Sequence, residues 1–204
     1  MISRRDFLKT TLLVSTLLTS QAINATEVTV TKINKKDKKE TRQKKVLELS
    51  RSSSKTYLLK MYNPNTLEIL VSRIPRNGKI NKVEKKKINY FLRDFHSGKV
   101  KDIDNKLIIS MCRLLESTKR GRYIVVHSAY RTKRTNLMLR EHGYKTATKS
   151  MHIKAKAIDF HIHGYSSKKS YLLAKKINPG GLGFYASQDF VHMDTGLKRF
   201  WSVA

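Results

Sequence analysis

Cysteine is all but missing from this 204-residue chain: Cys112 stands alone, so no intrachain disulfide can form. It lies in an apolar pattern of helical spacing, where one thiol packs as a small hydrophobe. Long apolar runs are missing as well. The mildly apolar stretch Thr10 to Leu18 falls short of the roughly 20 residues that cross a bilayer, which argues against an anchor there. Acids are scarce, with 15 Asp plus Glu against 43 Lys plus Arg and a formal net charge of +28. So basic a balance calls for anionic surroundings: nucleic acid, an acidic membrane surface or a polyanionic wall. Charge alone does not choose among them. No internal repeat is visible. What remains, 39% hydrophobic and 8% aromatic residues, supplies the core of one domain plus ancillary sequence.

The N-terminus bears on compartment. Ser3-Arg4-Arg5-Asp6-Phe7-Leu8-Lys9 precedes the apolar stretch, and small residues follow around Ser20-Gln21-Ala22 and Ala25. The pattern resembles a removable Tat export signal over residues 1–25. Removing it takes away three basic residues and one acid, which leaves the rest near +26 by the same count. Export to the periplasm or envelope makes nucleic acid an unsuitable partner and leaves no integral membrane segment. Residues 26–45 hold Lys32, Lys35, Lys36, Lys38, Lys39, Arg42, Lys44 and Lys45 with few apolar groups, which reads as a flexible basic arm. Residues 46–204 read as the folded domain.

Within that domain, Tyr57 to Met61 and Leu67 to Val71 predict strands around an Asn63-Pro64-Asn65 turn, and Asn77-Gly78 marks another turn. Ile88, Phe91, Leu92 and Phe95 predict one helical face, ended by Ser97-Gly98. Asp104 is placed to cap a helix whose face is Leu107, Ile108, Met111, Leu114 and Leu115. Further strands are expected over Tyr123 to His127, Ala157 to His163, Gly183 to Tyr185, Phe190 to Thr195 and Lys198 to Trp201. Helices are expected over Thr135 to Arg140 and after Ser166-Ser167, the latter carrying Leu172, Leu173 and Ile177 and broken by Pro179-Gly180-Gly181. The fold class is α+β, with a small antiparallel sheet flanked by helices.

Chemistry concentrates in the last third. His152 and Asp159 stand seven positions apart, and His192 follows in Asp189-Phe190-Val191-His192-Met193-Asp194. Two imidazoles and a carboxylate make a three-ligand set with a fourth position open to water. On spacing alone these remain as readily ordinary histidines of surface or core.

Ser150-x-His152-x6-Asp159 with Asp189-x-x-His192 resembles the metal motif of D-alanyl-D-alanine carboxypeptidase-like zinc peptidases, and more closely their murein endopeptidase K (YcbK-type) branch. Supporting segments are Tyr90-Phe91-Leu92-Arg93-Asp94 with Ser97-Gly98-Lys99, Ser128-Ala129-Tyr130-Arg131 with Asn136, Gly181-Leu182-Gly183-Phe184-Tyr185, and Phe190 to Asp194. They spread over roughly residues 55–201 in matching order. The resemblance implies one zinc per chain on His152, Asp159 and His192, Asp189 as general base and later acid, Arg131 stabilising the oxyanion, and Ser150 hydrogen-bonding substrate. It implies peptidoglycan stems or cross-links, containing D-Ala or meso-diaminopimelate, as the substrate. The family commonly has Gly where Ala129 and Ala155 stand, and a positive φ at either would strain the backbone by about 1 kcal/mol. His127 replaces a usual aliphatic residue.

Other readings stay open. His161 or His163, which alternate with Asp159 along one strand, could replace His192 as ligand. Asp194, on the face of His192, could orient an imidazole. His96 and His142 read as surface residues. A wall-binding module of the same fold without activity is the alternative from another class. A nucleic-acid binder is third.

Overall fold

Two strands joined by a tight turn come first in the computed structural model, which describes residues 55–119, 122–144, 146–177 and 180–203. The signal-like segment and the basic arm lie outside the described residues, as does Pro179. β1 (Thr56–Asn63) and β2 (Glu68–Pro75) pair antiparallel from Thr56↔Pro75 to Asn63↔Glu68. Their alternation sends Tyr57, Leu59 and Met61 inward from one strand and Leu70 and Ile74 from the other. Asn63 Oδ1 accepts the Asn65 N–H at 2.9 Å, and Leu67 takes a left-handed φ of 57° to close the turn.

Helix α1 (Lys82–Phe91) starts at Asn81, whose side chain accepts the Glu84 N–H. It buries Ile88, Phe91 and the capping Leu92, but stops before Phe95. The expected face is therefore one residue shorter, and Ser97-Gly98 is not its terminator. Asp94 is the physical reason: buried, it accepts the His96 and Ser97 N–H groups and turns the chain three residues earlier. Asp104 does cap α2 (Asn105–Glu116), accepting the Lys106 N–H at 2.8 Å. Leu107, Ile108, Met111, Leu114 and Leu115 are all buried, with Cys112 among them.

The remaining elements are β3 (Ile124–Ser128), α3 (Lys133–Glu141), β4 (Ala157–Ile162), α4 (Ser167–Ile177), β5 (Gly181–Tyr185), β6 (Phe190–Asp194) and β7 (Arg199–Val203). On α4 the buried stripe is Ser167, Ser170 and Ala174, while Leu172 is 51% exposed. Small residues let this helix approach the sheet closely, close enough for Ser170 Oγ to accept the Ile162 N–H at 3.0 Å. That rotates Leu172 out of the expected apolar face and leaves Leu173 and Ile177 at its margin.

The seven strands form one sheet in the order β2-β1-β3-β4-β6-β5-β7. The α+β class holds. The sheet is larger than expected and not wholly antiparallel, since β1–β3 and β5–β7 run parallel. Both parallel pairs join strands that are not consecutive: two helices intervene before β3, and β6 intervenes before β7. Helices α2 and α4 share the main core with β1, β3, β4 and β6 around the fully buried Leu59, Ile108, Met111, Phe160 and Met193. At the sheet's centre Asp159 on β4 lies directly opposite His192 on β6. No helix among the described residues is long and apolar enough to cross a membrane.

Candidate metal centre

Antiparallel pairing puts Asp159 and His192 on one face of adjacent strands, so their side chains meet without help from a loop. His192 Nδ1 lies 2.8 Å from Asp159 Oδ1. His152 arrives from the turn between α3 and β4, where Ile153, Lys154 and Ala155 donate N–H groups back to Ser150, Met151 and His152. Its Nε2 stands 3.2 Å from both Asp159 Oδ1 and His192 Nδ1. All three side chains are buried, and one ligand atom from each lies within 4.8 Å of the others. This group could hold a metal ion.

The outer ring nitrogens fix which lone pairs face inward. His152 Nδ1 meets the Ala129 carbonyl oxygen, and His192 Nε2 meets Asp194 Oδ2 at 3.0 Å. Each outer partner only accepts, so each outer nitrogen carries its hydrogen. A cation taking the place of the inner protons would find the His152 Nε2 and His192 Nδ1 lone pairs aimed toward Asp159, the arrangement of metal-ligating histidines. The donor set and its outer partners thus fit a divalent cation.

Electrostatics agree. Burial alone would push the His192 imidazole down, but bonds to the Asp159 and Asp194 carboxylates win and raise its pKa to about 9. In the metal-free chain a proton occupies the place suited to a cation. Burial also pushes His152 down, and there Asp159 only partly opposes it. Burial would raise the Asp159 carboxyl, yet the two imidazoles hold it well below the usual carboxylate range. Asp194, fully buried, accepts the Gly181 and Gly196 N–H groups at 3.0 and 2.8 Å and pairs with Arg199 at 2.6 Å. Burial opposes its ionisation, but the bonds from His192, Gly196 and Gly181 hold its pKa down at about 2.

The cluster opens onto a cavity of about 1250 Å³. Tyr185, Phe190, Phe200 and Trp201 wall it on the β5–β7 side, with Tyr185 stacked on Phe190 at 4.4 Å and Trp201 donating to the Tyr185 hydroxyl. Arg131 lines it from the start of α3. Its backbone N–H donates to the His152 carbonyl, while its guanidinium has no hydrogen-bond partner among the described residues and buries an unpaired Nε. Burial pushes that guanidinium down, against Asp159 and Asp94. Ser150 is buried at the cavity edge, its Oγ accepting the His152 N–H at 3.3 Å.

Asp189 does not join them. It is exposed in the β5–β6 turn, with a left-handed φ of 50° and Oδ1 toward the Ser167 N–H at 3.4 Å. Gln188 and Phe190 line the cavity, and Asp189 between them does not. The alternative ligands His161 and His163 also stand apart: His163 stacks on Tyr123, and His161 Nδ1 pairs with His127 Nε2 at 2.8 Å. His96 and His142 are exposed. Ala155 does take a left-handed φ, 55°, and is fully buried; Ala129 does not.

Sequence reasoning missed the His127–His161 pair, the aromatic wall and the organising role of Asp94. Asp94 Oδ2 accepts the Thr132 N–H at 2.9 Å and the Thr135 hydroxyl at 2.6 Å, which fixes the loop carrying Arg131. Thr132-x-x-Thr135 is a legible capping signal, but no local pattern links it to an acid 38 residues earlier.

The family model for peptidoglycan L,D-endopeptidase MepK matches residues 51–201. The chain belongs to this family. The peptidoglycan L,D-endopeptidase MepK of Escherichia coli K12 is 37% identical over 115 residues, 56% of this chain and 63% of the relative. A probable peptidoglycan L,D-endopeptidase MepK of Haemophilus influenzae is 33% identical over 151 residues, 74% of this chain and 81% of the relative. The chain thus spans less than two thirds of the Escherichia coli relative it matches. No solved structure matches it.

Proposed function

We propose that this chain is a zinc peptidase that hydrolyses amide bonds in peptidoglycan stem peptides or their cross-links. The observation that carries the reading is the convergence of His152 Nε2, His192 Nδ1 and Asp159 Oδ1 at the wall of a large open cavity. Two imidazoles and one carboxylate suit zinc with a position left for solvent. When bound, zinc would polarise a substrate carbonyl and lower the pKa of water to about 7. The substrate class follows the family, whose relatives are described as acting on peptidoglycan. An export signal over residues 1–25 and an envelope location suit that substrate.

The chain's own residues have separate tasks in this reading. Ala129 and Asp194 hold the two imidazoles in their ligating tautomers. Arg131, whose guanidinium has no hydrogen-bond partner among the described residues, offers a fixed cation where the carbonyl oxygen gains charge. Ser150 uses its oxygen to receive the His152 N–H, which leaves its hydroxyl hydrogen for a substrate carbonyl. Asp189 is the general base through a swing away from Ser167; its one long bond there, at 3.4 Å, holds it weakly. Of the residues proposed to act on substrate or water, Arg131 and Ser150 line the cavity and Asp189 does not.

Zinc-loaded protein incubated with isolated murein should release shorter muropeptides, and EDTA should stop the release. An unchanged muropeptide profile would overturn the reading. Asp189→Asn isolates the base, because Asn tolerates the same left-handed backbone and removes only basicity. Turnover should fall by about 10²-fold or more. Near-parental turnover would remove Asp189 from the mechanism while leaving the metal site intact.

A further inference from the structure

A second cavity, of about 350 Å³, lies between α3 and the turn that carries His152. Lys133 and Arg140 enter it from one face of α3, and Lys149 and Lys154 from the turn. No acid lines it, and none of the four cations has an ion-pair partner among the described residues. A few cations elsewhere find carboxylates, as Arg76 does at Glu116 and Arg93 at Glu68, but most described Lys and Arg side chains do not. What sets these four apart is that they share one concavity. Four unneutralised cations around one concavity repel one another and attract an anion.

An independent observation points the same way. Asn136 lines this cavity and is 3% exposed. Its Nδ2 donates to the Ala147 carbonyl at 3.0 Å, which fixes the amide's orientation. Its Oδ1 is buried and has no partner among the described residues. That bare acceptor calls for a donor, from one of the four cations or from a ligand that brings an N–H alongside its negative charge. Peptides with free carboxylates have that chemistry; inorganic phosphate brings no N–H. Lys149 and Ser150 line both this cavity and the larger one, so a single chain can occupy the two together.

We propose that this groove is a subsite for the carboxylate-bearing arm of a peptidoglycan stem peptide, with Lys133, Arg140, Lys149 and Lys154 balancing its carboxylates and Asn136 Oδ1 accepting one of its N–H groups. The proposal rests on the peptidase reading for its ligand, but its test does not require turnover. Binding of fluorescent L-Ala-γ-D-Glu-meso-diaminopimelate to the zinc-loaded chain is measured by anisotropy, beside the same peptide with its carboxylates amidated. The exposed pair Lys133→Glu/Arg140→Glu should weaken binding of the acid peptide by about tenfold or more. The control pair Lys86→Glu/Lys168→Glu, an equal charge change on other helices, should alter it by less than about threefold. Amidated peptide should bind the parent about as weakly as acid peptide binds the groove variant. Equal losses in groove and control variants, or equal affinity for acid and amidated peptide, would overturn the subsite. Charge-sensitive binding without hydrolysis of murein would sink the peptidase reading and leave the subsite standing.

Discussion

Asp194→Asn is the sharpest probe of the candidate metal centre, because it changes none of the three candidate ligands and almost no volume. Asp194 accepts from four donors: the His192 Nε2–H, the Gly181 and Gly196 N–H groups, and Arg199. An amide can keep one oxygen on the two backbone groups. Its NH₂ then faces the His192 N–H and the Arg199 guanidinium, donor against donors. A carboxyl that titrates at about 2 in the fold and at 3.8 in the unfolded chain contributes about 2 kcal/mol at neutral pH. Losing it should lower the Tm of the metal-free chain by about 4–8 °C for a domain of this size. Zinc affinity should fall by about 10–100-fold, since the imidazole loses the partner that fixes its tautomer. Because the Asp194 pKa is depressed, its stabilisation is present above pH 3.8 and is lost as pH falls toward 2. The gap in Tm between parent and variant should therefore close over that window. Calorimetry of the metal-free proteins and competitive zinc titration measure both effects. A variant with parental Tm and zinc affinity within about threefold would refute the reasoning.

Three further outcomes are expected. Zinc must displace the proton on His192, so apparent affinity should rise about tenfold per pH between 7 and 9 and level off above the raised pKa of about 9; a flat profile there would place the proton elsewhere. Cys112 is 1% exposed and burial pushes its thiol up to about 12, so alkylating reagents should leave the folded chain unlabelled at pH 8 and react fully in denaturant. Rapid labelling of native protein would contradict that packing. Ala155→Gly relieves a left-handed backbone by about 1 kcal/mol but gives up a fully buried methyl worth about 0.8 kcal/mol, so Tm should move by no more than about 2 °C. A larger shift in either direction, read by thermal denaturation, would mean that one term dominates.

Local chemistry was legible wherever a side chain acts on its own neighbourhood. Asp104 caps the helix it precedes, five spaced apolar residues of that helix are buried, and Asn77-Gly78 turns the chain with Gly78 at a φ of 75°. The α+β class followed from the same patterns, and the family from the order of its motifs. Features that depend on distant partners were not legible. Helix α1 ends early because Asp94 collects N–H groups from its own loop and from the start of α3. The α4 face turns because Ser170 reaches a strand end rather than because of its leucines.

At the metal centre the division is the same. Residue types and spacing supplied His152, Asp159 and His192, but as candidates among seven histidines and 15 acids. Only strand pairing puts Asp159 opposite His192, and only the stitched turn brings His152 Nε2 to 3.2 Å from both. The same pairing separates His161 and His163 from the cluster and leaves Asp189 outside the cavity, although all three are close to it in sequence. Spacing along a chain restricts which residue types can meet. Register, hydrogen-bonded turns and outer carboxylates decide which lone pairs face one another, and those are properties of the folded chain as a whole.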